Sequence, residues 1–235
     1  MTGRELFSEI IILTLPHSGS TAMARLLLSS PRVWARMPGA EGQKLAASKP
    51  FLPANPWRTD QQIDWSSLRA IWEEGRPEGA ILLEKSPPLV AHLPAVIQTW
   101  PNAYFVITIR NPYAFVASYL QRGPPTDQDV ESAVWRWTKR SQLQRRNVEA
   151  LVGRSIVTSY EAFTRQPDEF VRSLETVVGP LDIDPTQDFT VKLYKPAPIS
   201  NHNDRQISTM SESHRALAGR LLATQAADEL AFWGY

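Results

Sequence analysis

The residues best suited to chemistry follow the first apolar run of the chain. Pro16-His17-Ser18-Gly19-Ser20-Thr21 comes directly after Ile10 to Leu15, and Met23, Leu26, Leu27 and Leu28 follow at helical spacing. A loop leading from a strand into a helix offers free N–H groups at the helix start, where the dipole favours an anion. Gly19 lets the backbone approach a ligand closely, and Ser20 and Thr21 add hydroxyl donors. The chemistry this fits is the holding of a phosphate-like oxyanion. The plainer alternative is an ordinary turn with Ser20 as N-cap. A Walker A loop is not present, because that motif needs a lysine just before its hydroxyl residue and Ser20 stands there.

The elements that position this loop are read from apolar patterning. Ile10 to Leu15 is continuous and rich in β-branched residues, as in a parallel strand buried on both faces. Thr21 to Ser29 reads as a helix ended by Pro31. Residues 38–80 are irregular, with five prolines, one amphipathic stretch around Ser66 to Glu74, and Phe51, Trp57, Trp65 and Trp72. Ala80 to Leu83, Tyr104 to Ile109 and Ser155 to Thr158 read as strands. Leu89 to Trp100, Pro112 to Gln121, Asp127 to Leu151, Asp168 to Val178 and Glu212 to Phe232 read as helices, and 182–210 as loop. Strands alternating with helices predict a single-domain three-layer α/β/α fold around a central parallel sheet, with a P-loop-like turn. Neither a repeat nor a linker divides the chain, so one domain is expected over residues 1–235.

Composition narrows the class. Net charge is 25 − 24 = +1, which gives no reason to expect a nucleic acid or an anionic membrane as partner, so any anion site must be local. The sequence has no cysteine, which excludes disulfides, thiolate metal sites and a cysteine nucleophile. Ile10 to Leu15 is far shorter than the ~20 apolar residues of a membrane span. No signal peptide or transmembrane helix is expected, and a cytoplasmic setting is. No His/Asp/Glu spacing fits a metal site, so no metal is expected.

In its strand–loop–helix setting, Leu15 to Thr21 resembles the 5′-phosphosulfate loop of sulfotransferases that use 3′-phosphoadenosine-5′-phosphosulfate (PAPS), usually Pro-Arg/Lys-Ser-Gly-Thr-Thr. Tyr104 to Ile109 followed by Arg110-Asn111-Pro112, with Ser118 eight residues after Arg110, is similar to the family's 3′-phosphate motif. Arg122 follows one helical turn beyond Ser118. Ser159-Tyr160-Glu161-Ala162-Phe163 through Pro167 is similar to the family's Arg-Tyr-Glu-Asp-Leu…Pro segment. With Glu84-Lys85-Ser86-Pro87 these blocks span roughly two thirds of the chain, in the family's order.

The resemblance implies PAPS as donor, 3′,5′-bisphosphoadenosine as product, and a small molecule or peptide as acceptor. It implies donor contacts from His17, Ser18, Gly19, Ser20, Thr21, Arg110, Ser118, Arg122 and Tyr160, and from Ser200 and Arg205 in a late loop folded over the donor. Arginine suits such a task because its planar fork meets phosphate bidentately. Tyr160 and Glu161 fit a hydrogen-bonded structural corner equally well. Some sulfotransferases, including those acting on tyrosine residues of proteins, place a catalytic glutamate after a similar stretch and a charge-stabilising lysine in a Lys-x-Pro context, which makes Glu41 the candidate base and Lys85 the candidate stabiliser. Glu84 and His92 are second and third choices as base. His17 departs from the usual Arg or Lys, and an ordinary imidazole, with pKa ~6.5, is only partly charged at neutral pH.

Two other readings stay open. Ile81-Leu82-Leu83-Glu84 could mimic a Walker B strand of a nucleoside or nucleotide kinase, and His17 could mark a nucleotide-binding relative that does not turn over. Residues 42–79 and 182–210 lie outside the resemblance and are expected to shape the acceptor pocket.

Overall fold

The computed structural model describes residues 7–121, 123–189 and 196–235. Five parallel strands form its sheet: β1 (Glu9–Leu13), β2 (Val33–Trp34), β3 (Ile81–Glu84), β4 (Ala103–Ile109) and β5 (Ser155–Ser159), in the order β2-β3-β1-β4-β5. The helices are α1 (Ser20–Leu27), α2 (Trp65–Glu73), α3 (Leu93–Thr99), α4 (Pro112–Leu120), α5 (Asp127–Ala150), α6 (Tyr160–Arg165), α7 (Pro167–Val178), α8 (Asn203–Ile207), α9 (Glu212–Gln225) and α10 (Ala227–Trp233).

The continuous apolar run of β1 is explained by its central place. Ile10 and Ile12 face Met23, Leu26 and Leu27 of α1 and Phe170 and Leu174 of α7. Ile11 and Leu13 face Leu68 and Trp72 of α2 and Val96 of α3. Each such side chain contributes ~1.5–3 kcal/mol on leaving water. A third apolar cluster closes the carboxyl edge, where Leu15 and Ile109 meet Phe115, Val134 and Trp137.

Four features differ from the sequence expectation. The two-residue edge strand β2 is too short to show a period. The helix expected from Leu89 to Trp100 breaks at His92, because Pro94 has no N–H to donate to Val90; Asn147 Nδ2 takes that carbonyl instead, at 3.1 Å. The helix expected from Glu212 to Phe232 breaks at Ala226, and the turn brings the Tyr235 hydroxyl to Glu161. The segment expected to be loop over 182–210 contains α8. Among the described residues no helix is long and apolar enough to cross a membrane.

Candidate active site

The carboxyl ends of β3, β1 and β4 lie side by side and bear the chemistry-bearing residues. Beyond β1, His17 and Gly19 adopt left-handed backbone at φ 65 and φ 75. For His17 that conformation stores strain of ~1–3 kcal/mol, as functional loops often do. Gly19 is the N-cap of α1, and no side chain caps the helix, so Ser20 is its first residue and not its cap. A Cβ at Gly19 would fall 2.2 Å from Tyr160 Cδ2, which is why glycine is required there. Ser18 is buried, and its Oγ has no hydrogen-bond partner.

Register then places the next pair. Ile109 pairs with Ser159, so Arg110 and Tyr160 leave the sheet together, and the guanidinium sits 4.2 Å from the ring centroid. Arg110 is buried. It donates to His17 O at 2.7 Å, to Asn203 Oδ1 at 2.8 and 2.9 Å, and to Gln206 Oε1 at 2.6 Å. Burial lowers its pKa, and the nearby Tyr160, Glu161 and Tyr235 oppose that shift. The Tyr160 hydroxyl donates to Ser200 O and accepts from His202 N, while Glu161 accepts from Asn111 N, Asn203 Nδ2 and the Tyr235 hydroxyl. Tyr160 and Glu161 therefore tie β5, the phosphate-type loop and the 200–206 segment into one corner.

Ser118 Oγ lies 3.2 Å from His17 Nδ1, and the His17 ring meets Phe115 and Tyr119 edge-on. Ser200 and Arg205 are exposed on the α8 side, and Ser200 enters the corner through its carbonyl. Arg122 lies outside the described residues.

On the other side of β1, Lys85 Nζ meets Glu41 Oε1 at 2.5 Å, and Lys44 Nζ meets Glu41 Oε2 at 2.5 Å. Burial works to raise the Glu41 pKa, but the hydrogen bonds and charges of Lys44 and Lys85 together hold it below its ordinary value. Burial lowers the Lys85 pKa, with Glu41 opposing. Glu84 is fully used inside the protein. It accepts from the main-chain N–H of Gly42, Lys85 and Ser86 and from Ser86 Oγ. Burial still pushes its pKa up to about 7. Glu84 thus fixes the loop that presents Glu41, and Gly42 is packed so closely on Trp72 that a Cβ would lie 2.5 Å from that ring. His92 Nε2 meets Pro56 O at 2.8 Å and its ring lies against Trp65.

Sequence reading missed Asn203, Gln206 and Lys44. Their signal is weak because each gains its place only when a distant segment folds over a strand end.

Fold and strand-end residues together define a parallel α/β protein with a P-loop-like turn after its first strand. Residues 9–182 match the family model described as the sulfotransferase family, and the chain belongs to that family. A Caenorhabditis briggsae protein, provisionally named a protein-tyrosine sulfotransferase, is 23% identical over 189 residues. The match covers 72% of this chain and 64% of that relative, so the chain spans less than two thirds of the relative's length. The fold is similar to a sulfotransferase from Alicyclobacillus acidocaldarius, with TM-score 0.60, 17% identity and 95% and 94% of the two chains covered. It is also similar to the sulfotransferase domain of the Synechococcus PCC 7002 olefin synthase, with TM-score 0.61, 15% identity and 100% and 97% covered.

Proposed function

We propose that this chain moves the sulfuryl group of PAPS to a hydroxyl or amine of a small-molecule or peptide acceptor by in-line transfer. The observation that supports this most is the strand order. Because β3, β1 and β4 are consecutive, the Lys85–Glu41 pair, the phosphate-type loop and Arg110 stand in a row along one sheet edge.

The residues fit a bisphosphate ligand. The buried, unpartnered Ser18 Oγ is a polar atom that a bound 5′-phosphate would satisfy. Main-chain N–H groups at the uncapped start of α1, with Ser20 and Thr21, hold that end of the donor. Arg110 and Ser118 hold the 3′-phosphate, and Gln206 must give way for the guanidinium fork to open. His17, beside Ser118, donates to the leaving phosphate in place of the usual Arg or Lys.

Glu41 takes the acceptor proton as the new bond from sulfur to the acceptor oxygen or nitrogen forms and the bond to the 5′-phosphate oxygen breaks. Lys85 stabilises charge on the transferring group. A sulfuryl group drawing Lys85 away from Glu41 removes part of what holds the carboxylate's pKa down, so the base strengthens as the site fills. A kinase reading would need Glu84 as a metal ligand, and its carboxylate is already taken by three main-chain N–H groups and a hydroxyl.

The test is calorimetric titration with 3′,5′-bisphosphoadenosine in EDTA, beside ATP with Mg²⁺, on wild type and Arg110→Ala. Metal-free binding of the bisphosphate, lost in the variant, is expected. Binding of Mg·ATP with no response to the bisphosphate would overturn the reading in favour of a kinase.

A further inference from the structure

Among the described residues, two arginines on one face of α5 make no ion pair with an acid. Arg136 and Arg140 are one helical turn apart and each is partly buried. The Arg136 guanidinium lies 5.7 Å from the Tyr119 ring centroid, and that of Arg140 lies 4.1 Å from the Trp57 centroid. Arg136 Nε is buried and makes no hydrogen bond. Burial first, and then the charge of Arg136, push the Arg140 pKa down to about 10, with Tyr119 opposing. Farther along the same helix Arg145 is matched by Glu149 at 3.6 Å and Glu229 at 3.7 Å. Like charges four residues apart are unfavourable, and partial burial of the guanidiniums adds to that. A fold that pairs Arg145 with acids, yet among the described residues gives Arg136 and Arg140 only aromatic rings, has a place for an anion from outside.

Their neighbours locate that place. The Tyr119 ring under Arg136 also meets the His17 ring of the phosphate-type loop. Trp57 under Arg140 follows Pro56, whose carbonyl is bonded to His92. Pro56 and His92 line an apolar recess together with Gln43, Trp65 and Ser86, and Gln43 and Ser86 are close in the chain to Glu41 and Lys85. The arginine pair therefore stands between the Tyr119–His17 contact and the Trp57 segment, whose Pro56 lines a recess shared with Gln43 and Ser86.

We propose that Arg136 and Arg140 form an anion subsite for the acceptor, so that the molecule receiving the sulfuryl group bears a second, negatively charged group: a carboxylate, phosphate or sulfate ester. This rests on the sulfotransferase reading and adds to it the charge class of the acceptor. Two guanidinium forks grip such a group bidentately, with Tyr119 and Trp57 as flat walls beside it. Filling the subsite also removes the repulsion between the two cations, so an acceptor without the charge lacks both contributions.

The probe is labelled inorganic sulfate in equilibrium dialysis at constant ionic strength, with 3′,5′-bisphosphoadenosine present in excess. Wild type is expected to hold a further sulfate, and Arg136→Gln/Arg140→Gln to hold it at least about tenfold more weakly, equivalent to ~1.4 kcal/mol. Arg136→Lys/Arg140→Lys keeps the charge, loses the fork and is expected to fall between. Circular dichroism and unfolding temperature confirm that each variant is folded. Equal sulfate binding by wild type and the glutamine variant, or none by wild type, overturns the subsite. If the bisphosphate binds neither protein, the donor assignment falls instead. Sulfate on the phosphate-type loop is then common to both proteins, so their difference still reads the arginines.

Discussion

Lys85 Nζ and Glu41 Oε1 form a 2.5 Å ion pair whose side chains are 2% and 14% exposed. The pair joins the end of β3 to the loop beyond β2. Removing Glu41 leaves Lys85 buried without its carboxylate, which costs far more than a surface pair does, whereas Glu41 without Lys85 keeps Lys44.

Glu41→Gln keeps the shape and removes the base. We expect kcat for sulfuryl transfer to fall by ~10²–10⁴, with affinity for 3′,5′-bisphosphoadenosine unchanged. Steady-state kinetics and calorimetry on one preparation check this, and an unaltered kcat would remove Glu41 from the reaction.

Gly19→Ala introduces both a left-handed alanine and a clash with the Tyr160 ring. We expect a stability loss of ~2–4 kcal/mol, read as a lower urea midpoint. Tyr160→Ala in the same chain should remove the clash and leave the backbone strain, so the double variant loses less than the sum. Strictly additive losses would show that the two residues are not energetically coupled.

Gln206→Ala frees one N–H of Arg110. On the proposed donor site a phosphate at Arg110 would compete with that side chain, so we expect the bisphosphate to bind several-fold more tightly in the variant. Weaker binding, measured by the same titration, would mean that Gln206 itself touches the ligand.

Glu84 titrates at about 7 in the folded protein against an ordinary 4.5, through burial. Between those values the folded state binds more protons than the unfolded, so stability falls as pH rises from about 4.5 to about 7 and is level above. Glu84→Gln should be less stable at pH 5 by ~1–3 kcal/mol, since its amide faces the Gly42 N–H. It should also lose this group's share of the pH slope. Urea unfolding at the two ends of the range tests it, and equal slopes for both proteins would refute the assignment.

The sequence by itself determined the parallel α/β class, because a strand buried on both faces must be apolar at every position, as Ile10 to Leu13 are. It also placed the Gly19 turn after the first strand and Arg110 at the end of a strand, since both lie next to elements whose patterns are local. Glu41 and Lys85 were legible as separate candidates, but their pairing was not, because it depends on Glu84 binding Gly42 N–H across 42 residues of chain. Tertiary structure alone decided that Glu84 is spent on its own loop, that a helix at 203–207 lies over Arg110, and that Arg136 and Arg140 share a face with no ion-paired acid among the described residues. Such facts are distances between segments far apart in sequence, set by packing across the sheet edge, and no short-range period in the chain encodes them.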